Sequence, residues 1–391
     1  MKFRSLITLT ALVAITLGAA VLSGCNSSSA TAATTPAQLS DYFKSTDWVA
    51  QHASDANFVV IDSRPAAAYA AGHIPGAVSI PRDQFYFPRK VIDSATGKYK
   101  LQADGVTPLQ IAYDIPTPAE LIDILTRNGI TPDTTVVSYD NDTSSYGGRV
   151  VWVLKTYGHA KAYVIDGGID KWKDVDKRTL DTTIVAPTAS AKPYKIASTN
   201  NYRIFKSDLA AVIDTANGNH TKAGYVISDV RTPSEYTGFG TTVTAGTAST
   251  GTWTLNSTPF IYSSNVGARP GHIPYDKFSD YESAVYTDYL DATGKPVPAS
   301  LQPAAAGQPV RNVKVLKSAA DIQAHFTSLG ITPDKIVYNF CEGGFRSGVY
   351  TLIQLGLGYT NVYNYDGSWN EWSIQDAKYP VVTGDGRVSG P

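Results

Sequence analysis

Cysteine is close to absent from this chain: its 391 residues contain two, Cys25 and Cys341. That scarcity excludes a fold held by a disulfide framework. Six histidines are scattered and cluster with neither cysteine, so no metal site is expected. An excess of either charge is missing too, with 33 basic against 34 acidic residues and no basic run. Nothing in that balance supports nucleic-acid binding. What is present is apolar material: 43% of the residues are hydrophobic, enough for cores without staples, and the length suits two domains better than one.

The N-terminus reads as a targeting segment. Lys2 and Arg4 precede an apolar stretch from Leu6 to Leu22, and Leu22-Ser23-Gly24-Cys25 closes it. A charged start, an apolar middle and small residues before the cut describe a secretory signal, and no stop-transfer segment follows. Leu-Ser-Gly-Cys also resembles a bacterial lipobox, which implies lipidation of Cys25 and a membrane-anchored, exported protein facing the periplasm. Asn26 after it lacks the aspartate that often retains lipoproteins at the inner membrane, which favours the outer one. Residues 1–25 are then signal and 26–37, rich in Ser, Thr and Ala, a flexible tether. Cys341 is left as the one free thiol, with no partner for an intramolecular disulfide.

The surroundings of Cys341 point to chemistry. Val337-Tyr338-Asn339-Phe340 is typical of a buried strand, Cys341-Glu342-Gly343-Gly344 is a short loop, and Val349 to Leu357 reads as a helix. Strand, tight loop and helix in that order place the thiol at the carboxyl end of a strand, facing the free N–H groups of a helix start. Partial positive charge there, and the full charge of Arg346, favour thiolate. Gly343 and Gly344 let backbone N–H groups turn inward as an anion-binding nest. The alternative is a cysteine packed as a small hydrophobe; the glycines, the arginine and the junction argue against it.

Much of the chain occurs twice. Gly129-Ile130-Thr131-Pro132-Asp133 returns as Gly330-Ile331-Thr332-Pro333-Asp334, and Asp62-Ser63-Arg64 as Asp229-Val230-Arg231. Gly72-His73-Ile74-Pro75 returns as Gly271-His272-Ile273-Pro274, and Asp166-Gly167-Gly168 to Trp172 as Asp366-Gly367-Ser368 to Trp372. Strands alternate with helices in both copies, for example Phe58–Asp62, Pro118–Asn128, Thr135–Tyr139, Gly148–Tyr157 and Ala162–Ile165. The expected fold is α/β, two tandem domains, each a mostly parallel sheet with helices on both faces. The domains are placed at 38–180 and 202–391, with a polar linker over 181–201. Two differences separate the copies. The second carries an insertion at about 239–269, whose Thr241-to-Leu255 portion is either a hairpin, lying over the site, or a floppy segment. Aligned from Thr131 and Thr332, the first copy has Asp140 where the second has Cys341, so one site per chain is expected.

Four motifs together give the chain its resemblance. They are Asp229-x-Arg231 with Glu235-Tyr236, Gly271-His272-Ile273-Pro274, Cys341-x-x-Gly344-x-Arg346, and Tyr365-Asp366-Gly367-Ser368-Trp369-x-Glu371-Trp372. Each is weak alone; in order, from about residue 40 to 380, they resemble the two-domain rhodaneses, which are sulfurtransferases pairing a silent first domain with an active second. The resemblance implies that Cys341 is the sulfur-carrying nucleophile and that Glu342, Gly343, Gly344, Phe345, Arg346 and Ser347 form its loop. It implies that Arg231 and Arg346 bind the substrate anion, while Asp229 orients neighbouring loops. His272 has its twin His73 in the silent copy, which favours a structural role over that of a base. Trp369 and Trp372 are read as core or pocket wall.

That family carries sulfur by double displacement, from a donor such as thiosulfate to an acceptor such as cyanide or a thiol, with no cofactor or metal. Small-molecule donor and acceptor are thus the expected partners. Glu342 departs from the basic residue that many thiosulfate-using relatives have after the cysteine. The loop departs at Glu342, Gly343 and Arg346 from the Cys-Gly-Ser/Thr-Gly-x-Thr pattern of 3-mercaptopyruvate-using relatives. A phosphatase or arsenate reductase would wrap its larger anion in a Cys-x5-Arg loop, one residue longer than this one. The remaining alternative is a lipid-tethered module that binds a partner or carries persulfide without turning over small donors.

Overall fold

The computed structural model describes residues 38–92, 96–101, 105–141, 143–214, 220–245, 252–259, 268–301, 310–374 and 379–384. The signal, the lipobox with Cys25 and the tether lie outside them. The described residues make one compact unit.

In the first copy the order is β1 (Phe43–Lys44), α1 (Thr46–His52), β2 (Phe58–Asp62), α2 (Ala66–Ala71), β3 (Val78–Ser79), β4 (Phe87–Lys90), β5 (Gln110–Asp114), α3 (Pro118–Arg127), β6 (Thr135–Tyr139), α4 (Ser145–Thr156), β7 (Ala162–Ile165) and α5 (Gly168–Asp170). The second copy runs β8 (Arg203–Ile204), α6 (Lys206–Ala211), β9 (Ile213–Asp214), β10 (His220–Thr221), β11 (Tyr225–Asp229), α7 (Pro233–Thr237), β12 (Phe239–Ala245), β13 (Thr252–Pro259), β14 (Lys277–Phe278), α8 (Tyr281–Val285), β15 (Tyr286–Asp288), β16 (Lys314–Leu316), α9 (Ala319–Ser328), β17 (Ile336–Phe340), α10 (Phe345–Gly356), β18 (Val362–Tyr365) and α11 (Ser368–Trp372).

Each copy builds a five-stranded parallel sheet, ordered β1-β7-β6-β2-β3 and β14-β11-β17-β18-β8. Continuous apolar strands such as Phe58-Val59-Val60-Ile61 belong in a sheet covered on both faces. Helix starts are locally encoded. Thr117 caps α3 and Thr232 caps α7, each in a capping box with the glutamate three residues on and a proline at the first helical position.

Burial sorts into three clusters. The outer face of the first sheet packs Val60, Val137, Ile165 and Trp172, and that of the second packs Ile227, Phe340, Trp369 and Trp372. The inner faces share one core, in which Val150 and Trp152 of α4 lie with Val349 and Leu352 of α10. The two helices touch at Gly148, where a Cβ would stand 2.0 Å from Val349 Cγ2. A larger residue at 148 has no room.

The junction between copies is reciprocal. The hairpin β4–β5 of the first copy delivers the Ile115 N–H to Asp366 Oδ2 at 3.1 Å, and β15–β16 of the second delivers the Leu316 N–H to Asp166 Oδ1 at 2.9 Å. These hairpins lie apart from the main sheets. The linker is also tied down: the Ser190 N–H donates to Thr126 O at 2.8 Å, and Tyr194 N to Thr126 Oγ1 at 2.8 Å. Of the insertion, the described part is the antiparallel hairpin β12–β13, pairing Thr241 with Leu255 and Val243 with Trp253.

Candidate active site

Cys341 follows the last residue of β17, at the carboxyl end of the central strand of its sheet. The loop is shorter than the sequence implies. Gly344 sits at φ +81° and α10 begins at Phe345, so Phe345, Arg346 and Ser347 form the first helical turn, not part of a loop. Left-handed backbone at 344 suits glycine, and a Cβ there would stand 2.5 Å from Asp366 Oδ1.

That turn aims the Gly344 N–H at the thiol, 3.1 Å from Sγ. Ser347 Oγ is 3.4 Å from Sγ but 2.7 Å from Asn364 Oδ1, and its single proton favours the shorter contact. Among the described residues, Gly344 is thus the one loop amide placed on sulfur, where a ring of amides was expected. The amino end of α10, twelve residues long, adds its partial positive charge. The loop is held from outside: Asn364 Nδ2 donates to Gly344 O at 3.0 Å, and Ser368 Oγ accepts from Cys341 N at 3.2 Å. Cys341 is 1% exposed.

The arginines correct the sequence reading. Arg231, expected to face the substrate anion, is buried and committed internally. Its Nη2 is 2.6 Å from Asp229 Oδ2 and donates to Gly271 O at 2.7 Å, and the guanidinium lies 4.1 Å from the Trp369 ring. Arg64 makes the same bonds, at the same distances, to Asp62 and Gly72 O in the copy without a thiol. A pair repeated in the copy that has no thiol is a clasp between the strand end and the Gly-His-Ile-Pro loop. Asp229 holds that clasp. Arg346 does stand near the thiol, but its charge is matched: Nη1 and Nη2 donate to Glu235 at 2.8 and 2.7 Å. Burial pushes the Glu235 carboxyl up, but the Arg346 charge outweighs it and leaves the group at about 2.

Glu342 turns towards Asn370, whose amide donates to its carboxylate and whose N–H donates to Glu342 O at 3.0 Å. Burial pushes this carboxyl up to about 7, against the pull of Asn370 and Arg346. It therefore carries only part of a negative charge at neutral pH. His272 donates from its backbone to Val382 O at 2.8 Å, places Nδ1 2.9 Å from Tyr236 O, and stacks on Tyr236. His73 stacks on Tyr69 in the same way.

Several residues of the site come from the first copy and were not picked out in the sequence. Arg149 of α4 is fully buried, pairs with Asp366, donates to Tyr113 O at 2.6 Å and reaches Gly344 O at 3.5 Å. The signal was there: a lone charge inside Gly148-Arg149-Val150-Val151-Trp152. Tyr86, Tyr113 and Tyr146 surround Phe345 edge-on, with ring centres 5.4 to 6.1 Å from it. The Tyr113 ring lies flush on Gly343, where a Cβ would stand 2.2 Å from Cδ2. A cavity of about 400 Å³ opens between the copies, lined by Arg82, Ser145, Tyr146, Thr232, Glu235, Phe345 and Arg346. In the first copy Asp140 occupies the cysteine position and accepts the Tyr146 N–H at 2.8 Å. One more residue separates Asp140 from its helix, so Tyr146 stands where the second copy has Arg346. Among the described residues no cluster of His, Cys, Asp and Glu is arranged to hold a metal.

This sheet order, duplicated, with a cysteine ahead of a central helix, matches known proteins. A model of the rhodanese-like domain matches residues 45–175 and 306–375. The chain belongs to the rhodanese-like family. A thiosulfate sulfurtransferase of Pseudomonas aeruginosa is 29% identical over 318 residues, 80% of this chain and 87% of the relative. Sulfur carrier protein TtuD of Thermus thermophilus is 28% identical over 332 residues, 84% of this chain and 92% of the relative. Among solved structures, the anaerobic ergothioneine biosynthesis enzyme of Chlorobium limicola aligns with a TM-score of 0.60 at 20% identity, over 88% of this chain and 70% of that one. That likeness is one of fold. The matched segments include both the thiol-bearing loop and its aspartate counterpart.

Proposed function

We propose that the protein is a sulfurtransferase that moves the outer sulfur of thiosulfate to a thiophilic acceptor through a persulfide on Cys341. The observation that carries this reading is the thiol itself: one sulfur, at a strand end, under the Gly344 N–H and the start of α10. The Cys341 thiolate attacks the outer sulfur of thiosulfate. A sulfur–sulfur bond forms to Cys341, and the original one breaks with its electron pair leaving on sulfite. An acceptor such as cyanide then attacks the outer persulfide sulfur and leaves as thiocyanate, returning the thiolate. The helix start and the Gly344 N–H steady the anion at both stages.

The similarity to thiosulfate sulfurtransferases supports the sulfurtransferase class. Glu342 is a smaller obstacle to an anionic donor than its formal charge implies, because burial keeps it partly protonated at neutral pH. Exchange without small-molecule turnover, as a carrier, is favoured by one observation, the 28% identity to a sulfur carrier protein. The two readings part on one assay. Incubation with thiosulfate followed by mass spectrometry is expected to show a gain of one sulfur that cyanide discharges catalytically. Cys341→Ser is expected to abolish that gain while the fold survives; sulfur transfer persisting in that variant overturns the assignment. Discharge only to a protein acceptor selects the carrier. Export and lipid anchoring at Cys25 complete the proposal, and rest on Leu22-Ser23-Gly24-Cys25.

A further inference from the structure

The cavity at the start of α10, lined by Arg346 five positions after Cys341, holds two arginines, and their charges are not equally available. Arg346 is spent on Glu235 through two short bonds. Farther in, Arg231 is spent on Asp229 and Arg149 on Asp366. Arg82, from the copy that lacks the thiol, is different. It lines the same cavity, half-buried, with its guanidinium over the Tyr146 ring at 3.7 Å from the centre. Among the described residues it forms no ion pair. Its own backbone N–H is anchored to Ser63 O at 3.0 Å, which fixes the base of the side chain.

A guanidinium resting on an aromatic face keeps its N–H donors at the edge of the plane, pointing away from the ring. Carboxylates and sulfonates are recognised by such a fork. Ser145, beside Tyr146 in the lining, adds a hydroxyl. Phe345 and Arg346, from the first turn of the helix that follows Cys341, line the cavity opposite them. We propose that Arg82 is the donor-anion anchor of the site. It would hold the charged end of a small anionic sulfur donor, while the sulfur end is directed to Cys341. This rests on the sulfurtransferase reading, and it makes the thiol-less copy a determinant of donor specificity, not a passive support. Arg82 acts by binding and is not assigned a chemical step.

Anion binding can be measured without turnover. Thiosulfate and sulfite are titrated by calorimetry into protein carrying Cys341→Ser, with Arg82 intact or replaced by Gln or Lys. Arg82→Gln is expected to weaken both anions at least about tenfold, the scale of one lost charge-assisted contact. Arg82→Lys, which keeps the charge and loses the fork, is expected to weaken them about threefold. Equal affinity in all three proteins, or no binding to any, overturns the anchor. If Arg82→Gln melts early, the Lys variant alone decides between loss and no change. In protein with Cys341 restored, the Gln variant is expected to raise the donor KM and leave the cyanide KM unmoved. A wild-type protein that binds thiosulfate through Arg82 but never gains sulfur leaves the anchor standing and removes the transfer reaction.

Discussion

The carboxyl of Glu342 ties the fold's stability to pH, and the sign of that tie can be worked out. Burial raises it from its ordinary 4.5 to about 7. A carboxyl raised on folding contributes stability that is fully present below about 4.5 and is lost as pH rises through about 7. At about 1.36 kcal/mol per unit, the loss reaches about 3 kcal/mol by pH 8. Glu235 has the opposite sense, being held at about 2 by Arg346; its contribution is lost only as pH falls through about 2, outside this window. Glu342→Gln keeps an oxygen to accept from Asn370 and removes the titration. Urea denaturation of both proteins between pH 4.5 and 8 isolates the group, because every other titration cancels in the difference. The expected result is that the variant gains on the wild type by about 3 kcal/mol across that range. Curves that stay parallel to within about 0.5 kcal/mol would show that Glu342 is solvated, and that burial does not govern its charge.

Two further substitutions probe the supports of the loop. Arg149→Ala leaves the fully buried Asp366 without its principal partner and is expected to cost about 3–5 kcal/mol in urea denaturation; the double variant Arg149→Met with Asp366→Leu should recover most of that, and no recovery would place the cost elsewhere. Gly343→Ala drives a methyl into the Tyr113 ring at 2.2 Å and is expected to cost about 1–3 kcal/mol, with a lowered rate of persulfide formation measured by mass spectrometry; a neutral result would mean the ring swings aside freely.

The architecture was legible because parallel strands buried on both faces are written as unbroken apolar runs, and because each signature appears twice. Phe58–Asp62, Thr135–Tyr139 and Ala162–Ile165 lie where the sequence places them. The start of α3 at Pro118 was read correctly, but two were read late: α4 was expected from Gly148 and begins at Ser145, and α10 was expected from Val349 and begins at Phe345, since Arg346, Ser347 and Gly348 look like loop by composition. The hairpins β4–β5 and β15–β16 were missed. Their strands are short, they pair outside the main sheets, and they carry no period long enough to stand out. The place of Cys341 between a strand end and a helix start was legible from local pattern; the extent of its loop was not, since Phe345 to Ser347 are helical. Nor was charge compensation. Arg231 and Arg346 look like free cations in a sequence, and only folding brings Glu235, 111 positions away, against Arg346. Arg82, Tyr113 and Arg149 escaped notice for the same reason, since they belong to the half of the chain that lacks the nucleophile.

The reciprocal hairpins have a consequence for how the molecule comes apart. Each half caps an aspartate of the other, and the apolar interior between α4 and α10 belongs to both. Separation would strip hydrocarbon and orphan two carboxylates at once, so neither half has a melted state it can visit while its neighbour stays native. A duplicated chain of this kind is expected to lose its structure as one cooperative unit, with the Cys341 site, seated on that seam, lost in the same event.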